Sequence, residues 1–374
     1  MTLLLNDEQQ MLQSSARDFL AEKAPVAALR TLRDAGNPSG FDPDLWRAMV
    51  EMGWSGLLVP EAYGGLDFGY LGAGVLFEEI GRHLSVSPLL STAVLAVTAL
   101  RLGGDETLKK QLLPPIVDGE LLVALALQEG PHQDPLKPAT RAQSSAGGQW
   151  LLDGDKRMVI DGVGADRLLV SALDDDDQPG LFLVDAAAPG IEITSRLLVD
   201  SHRAASIRIK SAPVLARLTA CEGGGSTLVS DVMNAGSACA AAELLGLANE
   251  AFSRTLEYLR TRKQFGVVIG RFQALQHRAA HLFCELELAR SAVLRALVAL
   301  DNQEPDRARW VSLAKNKSGR VARLAATEAI QMHGGIGMTD EFDIGFFLKR
   351  ARALEMQLGN SDYHADRFAR ALGF

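Results

Sequence analysis

Tyr258-Leu259-Arg260-Thr261-Arg262-Lys263-Gln264-Phe265-Gly266 closes one long helical period of this chain, and Gln331-Met332-His333-Gly334-Gly335-Ile336-Gly337 closes another. Between them Phe272-Gln273-Ala274-Leu275-Gln276-His277 opens a third. Arg262 is a permanent cation whose planar donor fork suits a pyrophosphate, and a surface ion pair is its plainest other use. Gln331 and Gly334-Gly335 end their helix with an amide and two residues that lack Cβ, so the backbone can come close to a ligand; a simple C-cap is the alternative.

Working outward, long helical periods cover 228–263, 272–302, 307–333 and 340–358, and four such helices pack most simply as an antiparallel bundle. The Ala-rich run Ala235 to Ala242 suits either core packing or close approach of a neighbouring helix or subunit. Upstream, 121–128, 149–152, 167–173, 181–185, 191–198 and 205–209 read as short strands of a small antiparallel sheet or barrel. Asp174 to Asp177 falls between two of these strands as a solvated turn, and Gly223-Gly224-Gly225 reads as a linker because it lacks phosphate-loop spacing. The first third is helical: Asn6 with Gln9 forms a capping box before 7–23, and Asp42-Pro43 starts 45–52. Pro60-Glu61-Ala62-Tyr63-Gly64-Gly65 is a loop, followed by apolar helical stretches at 72–82 and 88–102. The expected class is α+β, mostly α, with a helical N-terminal domain (1–120), a middle β-sheet or barrel domain (121–226) and a C-terminal four-helix bundle (227–374).

Composition bounds the partners. With 46 acidic against 38 basic residues the chain carries a net charge of -8, and no Lys/Arg-rich run occurs, which argues against nucleic acid. Met1-Thr2-Leu3-Leu4-Leu5-Asn6-Asp7-Glu8 lacks the basic start of a signal peptide, and no apolar run approaches a membrane span, so a cytoplasmic protein without membrane contact is expected. Cys221, Cys239 and Cys284 lack paired spacing and are expected as buried, reduced thiols. His277 and His281 stand four apart, but no Glu follows His277 as a zinc protease motif requires; no metal site is expected.

The order helical, β, four-helix and these motifs together resemble the acyl-CoA dehydrogenase family over essentially the full length. The N-terminal part carries the resemblance in Trp46, Gly53-Trp54, Val59-Pro60-Glu61, Gly64-Gly65 and Glu78-Glu79-Ile80-Gly81-Arg82. The resemblance implies FAD as cofactor, with Arg262, Gln264, Phe265, Gln273, Gln331, Gly334 and Gly335 binding the ADP half of a flavin held by a neighbouring subunit. It also implies a reaction in which a carboxylate takes the α-proton of an acyl thioester while the β-hydride goes to the flavin.

Measured against that pattern, the chain lacks its base. Relatives place a Glu in a Tyr-Glu-Gly-Thr segment after the last helix; here it reads Gln357-Leu358-Gly359-Asn360, and Leu358 cannot take a proton. The other familial location, counted back from Gly246-Leu247-Ala248, is Gly236, and the Arg beside it that often contacts CoA is Ser237. Glu243 and Asp362 are the nearest acids and read as structural. The flavin-side segment Thr-Glu-Pro-x-x-Gly-Ser-Asp is replaced by Gln128-Glu129-Gly130-Pro131-His132-Gln133-Asp134, and Lys-x-Trp-Ile-Thr by Lys156-Arg157-Met158-Val159-Ile160.

The expected function is therefore the non-catalytic subunit of a heteromeric, tetrameric acyl-CoA dehydrogenase. Its partner is a homologous subunit that bears the catalytic Glu and most of the acyl-CoA pocket. Two-subunit members imply steroid side chains or dicarboxylic acyl-CoAs as substrate classes. A self-sufficient homotetramer with Glu243 or Asp362 as a relocated base, and a scaffold that has lost flavin, are the alternatives.

Overall fold

The computed structural model describes residues 4–131, 134–145, 147–219 and 222–374; of the residues discussed above, Met1-Thr2-Leu3, His132, Gln133 and Cys221 lie outside them. Helices α1 (Asp7–Lys23), α2 (Val26–Ala35), α3 (Pro43–Glu51) and α4 (Gly69–His83) lead, by a π-helical stretch Leu89–Ala96, into α5 (Val97–Gly103) and α6 (Glu106–Val117). Strands follow: β1 (Val123–Ala126), β2 (Arg141–Ser144), β3 (Trp150–Ile160), β4 (Arg167–Leu173), β5 (Pro179–Asp185), β6 (Ile191–Leu197) and β7 (Arg203–Leu218). Then come α7 (Gly224–Thr261), a hairpin of β8 (Lys263–Gln264) and β9 (Val267–Val268), α8 (Gln273–Asp301), α9 (Arg307–His333), α10 (Ile344–Met356) and α11 (Ser361–Ala371).

The chain divides into two compact units, one of Met1–Thr31, Tyr70–Ser85 and Ser237–Phe374, the other of Leu32–Gly69 and Val86–Gly236. In the second, β4, β2, β3, β7 and β5 pair in a ring that β4–β5 pairing closes, with β1 beside β4 and β6 beside β7. The sheet is mixed, since β1 and β2 run parallel to β4, which corrects the antiparallel expectation. Alternation along the strands buries Leu152, Val159, Leu168, Val170, Phe182, Val184, Ile207 and Ile209 in one core. Bulges between Leu152 and Gly154 and between Lys156 and Val159 bend β3. Thr92 ties the π-helical stretch to β1 through hydrogen bonds of 3.1 and 3.2 Å with Val123.

Two local expectations in this unit change. Gly224 and Gly225 begin α7 rather than forming a linker, and a Cβ on Gly225 would overlap the Pro179 carbonyl. Asp174 is buried and ion-paired with Arg217, its Oδ1 accepting from the amides of Asp176 (3.0 Å) and Gln178 (2.8 Å), while Asp175 to Asp177 stay exposed.

In the helical unit, the capping box of Asn6 and Gln9 is present, with both hydrogen bonds made (2.9 and 2.8 Å). Asp301 at the end of α8 caps α4 through the amides of Tyr70 (2.6 Å) and Leu71 (2.9 Å), a carboxylate on the electropositive end of a helix. Helices α4 and α7 cross backbone to backbone: a Cβ on Gly81 would overlap the Glu243 carbonyl, and one on Gly246 the Glu78 carbonyl. Ala238 and Ala240 to Ala242 are buried on α7. Cys239 is buried and burial pushes its thiol pKa up, but Cys284 is exposed on the outer face of α8, a correction to the expectation of buried thiols. Among the described residues no group of three His, Cys, Asp or Glu could hold a metal, and no helix is long and apolar enough to cross a membrane.

Replacing Gly246 by Val tests the crossing. Overpacking a contact this close costs about 3 kcal/mol, read as a lowered urea midpoint, whereas the same change at half-buried Gly345, which has nothing within 4 Å of a built Cβ, is nearly silent.

Candidate functional site

Arg262 follows the last turn of α7, its amide donating to the Tyr258 carbonyl (2.8 Å) and its carbonyl accepting from Ile269 (2.9 Å). These bonds fold the chain into the β8–β9 hairpin, whose loop, Phe265-Gly266, has both residues at positive φ (55° and 77°) as a two-residue turn requires. The Phe265 side chain is thereby thrust outward, 89% exposed, where it meets Phe272 edge to face at 6.1 Å. Beneath the hairpin, Leu259 and Ile269 pack with Met332 of α9, flanked by Tyr258 and Leu275. That small core brings the two motifs together, although about 70 residues of chain separate them.

Arg262, Gln264, Gln273, Gln331, Gly334 and Gly335 are all exposed at this end of the helical unit. Arg262 has no side-chain partner among the described residues, so its guanidinium fork is free for a ligand. Gln264 spends one amide hydrogen on the Lys263 carbonyl (2.9 Å). Gly334 holds φ 69° and ψ -140°, a conformation that excludes side chains, and a Cβ on it or on Gly335 would meet nothing within 4 Å. An uncommitted cation beside open backbone fits the diphosphate of a nucleotide.

The position expected to carry the base lies in the turn between α10 and α11. Leu358 sits half-buried at φ 56°, a left-handed conformation that costs a leucine about 1–2 kcal/mol. Side chains hold that turn rigidly. The Lys315 ammonium, 1% exposed, donates to the carbonyls of Leu354 (3.3 Å), Glu355 (2.9 Å) and Gly359 (3.1 Å), which uses all three of its donors. His364, also buried, donates from Nε2 to the Leu358 carbonyl (3.1 Å), and Asn316 donates to the Ser361 carbonyl (2.6 Å). Burial, opposed by the charges of Glu355 and Glu243, lowers the Lys315 pKa to about 7. Burial, reinforced by Lys315 and Arg367, lowers that of His364 to about 3, so the imidazole is neutral at physiological pH.

The two displaced acids stand in different surroundings. Glu243 is 2% exposed and its Oε1 accepts from Arg350 Nε (2.8 Å) and Nη2 (2.5 Å), a buried pair between α7 and α10. Asp362 is exposed in the first turn of α11, where a carboxylate favours the helix dipole. Gly236 is a buried position inside α7, and the Ser237 hydroxyl after it is buried without a partner among the described residues.

In the other unit, Glu129 pins its loop to the barrel. It accepts from Lys156 Nζ (2.6 Å), from Thr140 Oγ1 (2.6 Å) and from the amides of Ala139 (2.5 Å) and Thr140 (3.1 Å). Burial raises its pKa, but Lys156 and these donors outweigh burial and leave it below the usual carboxylate range. Burial lowers that of Lys156 to about 8 against the pull of Glu129. Met158, standing where relatives have Trp, lies at the β3 bulge with φ 51° and is partly exposed. Its thioether offers no planar wall, and the Ile160 side chain offers no donor.

Lys315 and His364 were missed in the sequence, yet a signal existed. Val311, Ala314, Lys315, Ser318 and Ala322 share the buried stripe of α9, which places the lysine inward.

Comparisons with known proteins match residues 6–120 to the N-terminal domain and residues 223–373 to the C-terminal domain of acyl-CoA dehydrogenases. A variant of the Tcur3481-Tcur3483 steroid ACAD is 31% identical, with a TM-score of 0.90 over 100% of this chain and 99% of that one. The ChsE4-ChsE5 complex from Mycobacterium tuberculosis is 25% identical, with a TM-score of 0.91 over 100% and 99%. A probable acyl-CoA dehydrogenase of Bacillus subtilis, YngJ, is 28% identical over 100% of both chains.

Two measurements test the buried charges. The folded chain releases the Lys315 proton near pH 7 and the unfolded chain near 10.5, so between those values the unfolded state binds the extra proton and stability rises with pH. Urea titrations across that window show the rise in the wild type; in Lys315→Met the rise between pH 7 and 8 is lost and only the part contributed by Lys156 above pH 8 remains. Glu243→Ala takes from buried Arg350 the carboxylate it is paired with and costs about 3–5 kcal/mol in the same assay.

Proposed function

The chain is a member of the acyl-CoA dehydrogenase family, and we propose that within it the chain is the catalytically incomplete subunit of a heteromeric enzyme that desaturates an acyl-CoA thioester. One observation carries this reading: a leucine stands in the rigid turn where the proton acceptor is expected, while the acids that could replace it are bonded to Arg350 or turned to solvent. A heteromeric architecture is supported by the similarity to the ChsE4-ChsE5 complex.

Members of the family use FAD, which when bound accepts the hydride of the reaction. In this chain Arg262 would hold the diphosphate of the ADP half. Gln264, Gln273 and Gln331 would bond its polar edges, Phe265 would cover it, and Gly334-Gly335 would let backbone approach it. The partner, a homologous subunit with the Glu, would supply the base, the flavin-ring contacts and most of the acyl pocket. Removal of the α-proton needs an acceptor within hydrogen-bond reach, and an aliphatic side chain offers none. Among substrate classes, similarity to a steroid ACAD favours a steroid side-chain thioester over a dicarboxylic one.

Expressing the chain alone and with such a partner tests the assignment. Alone it retains no tightly bound flavin and shows no bleaching by acyl-CoA; the co-purified complex is yellow and active, and Arg262→Ala lowers its flavin content about ten-fold. Bleaching by the isolated chain, abolished by changing one of its own acids, defeats the divided site. Unchanged flavin in the Arg262→Ala complex defeats the cofactor role.

A further inference from the structure

His333, between Gln331 and Gly334, carries a polar atom the helical unit leaves unsatisfied. The residue is 3% exposed, and its ring lies between the tilted rings of Tyr258 (centroids 4.4 Å apart) and Phe342 (4.9 Å). Nδ1 lies 2.7 Å from the Ala329 carbonyl, and because a carbonyl only accepts, Nδ1 bears the hydrogen. Nε2 is then a bare lone pair, buried with no partner among the described residues. Burial, opposed by the bond to Ala329, keeps the ring below its ordinary pKa and therefore neutral. An imidazole's nitrogens point in nearly opposed directions, so Nε2 faces away from the preceding turn of α9. Gly337 is packed against the Ile330 carbonyl and His333 Cβ, 2.9 and 3.1 Å from where its own Cβ would be, so the bend after the helix is tight against this residue.

A buried acceptor without a donor costs about 1–3 kcal/mol, and a phenylalanine would fill the aromatic sandwich without that cost. We propose that His333 Nε2 is a nucleotide-binding group that accepts a hydrogen bond from a ribose hydroxyl next to the diphosphate held by Arg262. Phosphate oxygens only accept, so a neutral lone pair cannot serve them; the sugar hydroxyls are the adjoining donors. Tyr258 and Phe342, the rings beside the imidazole, are both half-buried, so one of them must give way for the contact. The inference rests on the reading that this end of the helical unit holds the ADP half of FAD.

Asparagine and glutamine separate the two nitrogens. His333→Asn keeps a donor for Ala329 and removes the far acceptor; His333→Gln places an amide oxygen near the Nε2 position. In the complex co-purified with the partner subunit, Asn lowers FAD retention about five-fold, the weight of one ordinary hydrogen bond, and Gln restores it, with melting temperatures recorded for both. Equal retention in both variants, whether unchanged or equally reduced, overturns the proposal while a loss in Arg262→Ala keeps the wider reading. No loss in Arg262→Ala overturns both. Should the variants fail to fold, isotope-labelled histidine in the wild-type chain gives a second readout. ADP added to saturation moves the Nε2 resonance as its lone pair accepts a hydrogen; an unmoved resonance rejects the contact.

Discussion

The crossing of α4 and α7 brings two backbones together at Gly81 and Gly246, where each missing Cβ leaves room for the other helix's carbonyl. So close an approach leaves little volume for side chains at the crossing and displaces the acids of both helices to its flanks. Glu79 reaches Arg17 at 2.8 Å, Glu78 reaches Arg290 at 3.2 Å, and Glu243 reaches Arg350. Each carboxylate is thus spent on an arginine that stitches another helix to the pair. The consequence for chemistry is direct, because a carboxylate whose oxygens are held by guanidinium donors is not free to turn toward a substrate.

A second constraint operates at the α10–α11 turn. Burying an ammonium is costly unless its donors are filled, and Lys315 fills them with three backbone carbonyls on the two sides of one turn. The turn is held although its side chain at 358 is inert. At the other end of the same unit, the hairpin and the end of α9 expose an uncommitted arginine and bare backbone, where a ligand can be received.

Periodicity and capping were legible where local interactions suffice. The bounds 307–333 and 167–173, the Asn6 capping box and the Asp42-Pro43 start all stand in the structure as read. Short or masked elements were not. Pro114-Pro115 hid α6, polar Arg141 to Ser144 hid β2, and the Leu358-Gly359 turn hid α11 behind an apparent end of the chain's last helix. Helix α2 is only ten residues long and buries just Val26 and Leu29, too little for a clear stripe. Strand β7 runs well past its apolar segment because its ladder with β3, β5 and β6, not its own side chains, sets its length.

The amino-acid sequence by itself determined the family, the order of helical and β segments, and the absence of a carboxylate at 358 and 236, because residue identity and short-range periodicity carry that information. Only the tertiary structure decided that Glu243 is consumed by Arg350, that Lys315 locks the empty turn, that His333 is left with an unmet acceptor, and that the two glycine-ended motifs share one small core. Those outcomes depend on which groups distant in the chain meet away from water, where a charge or lone pair must find a partner and burial sets how strongly it is needed.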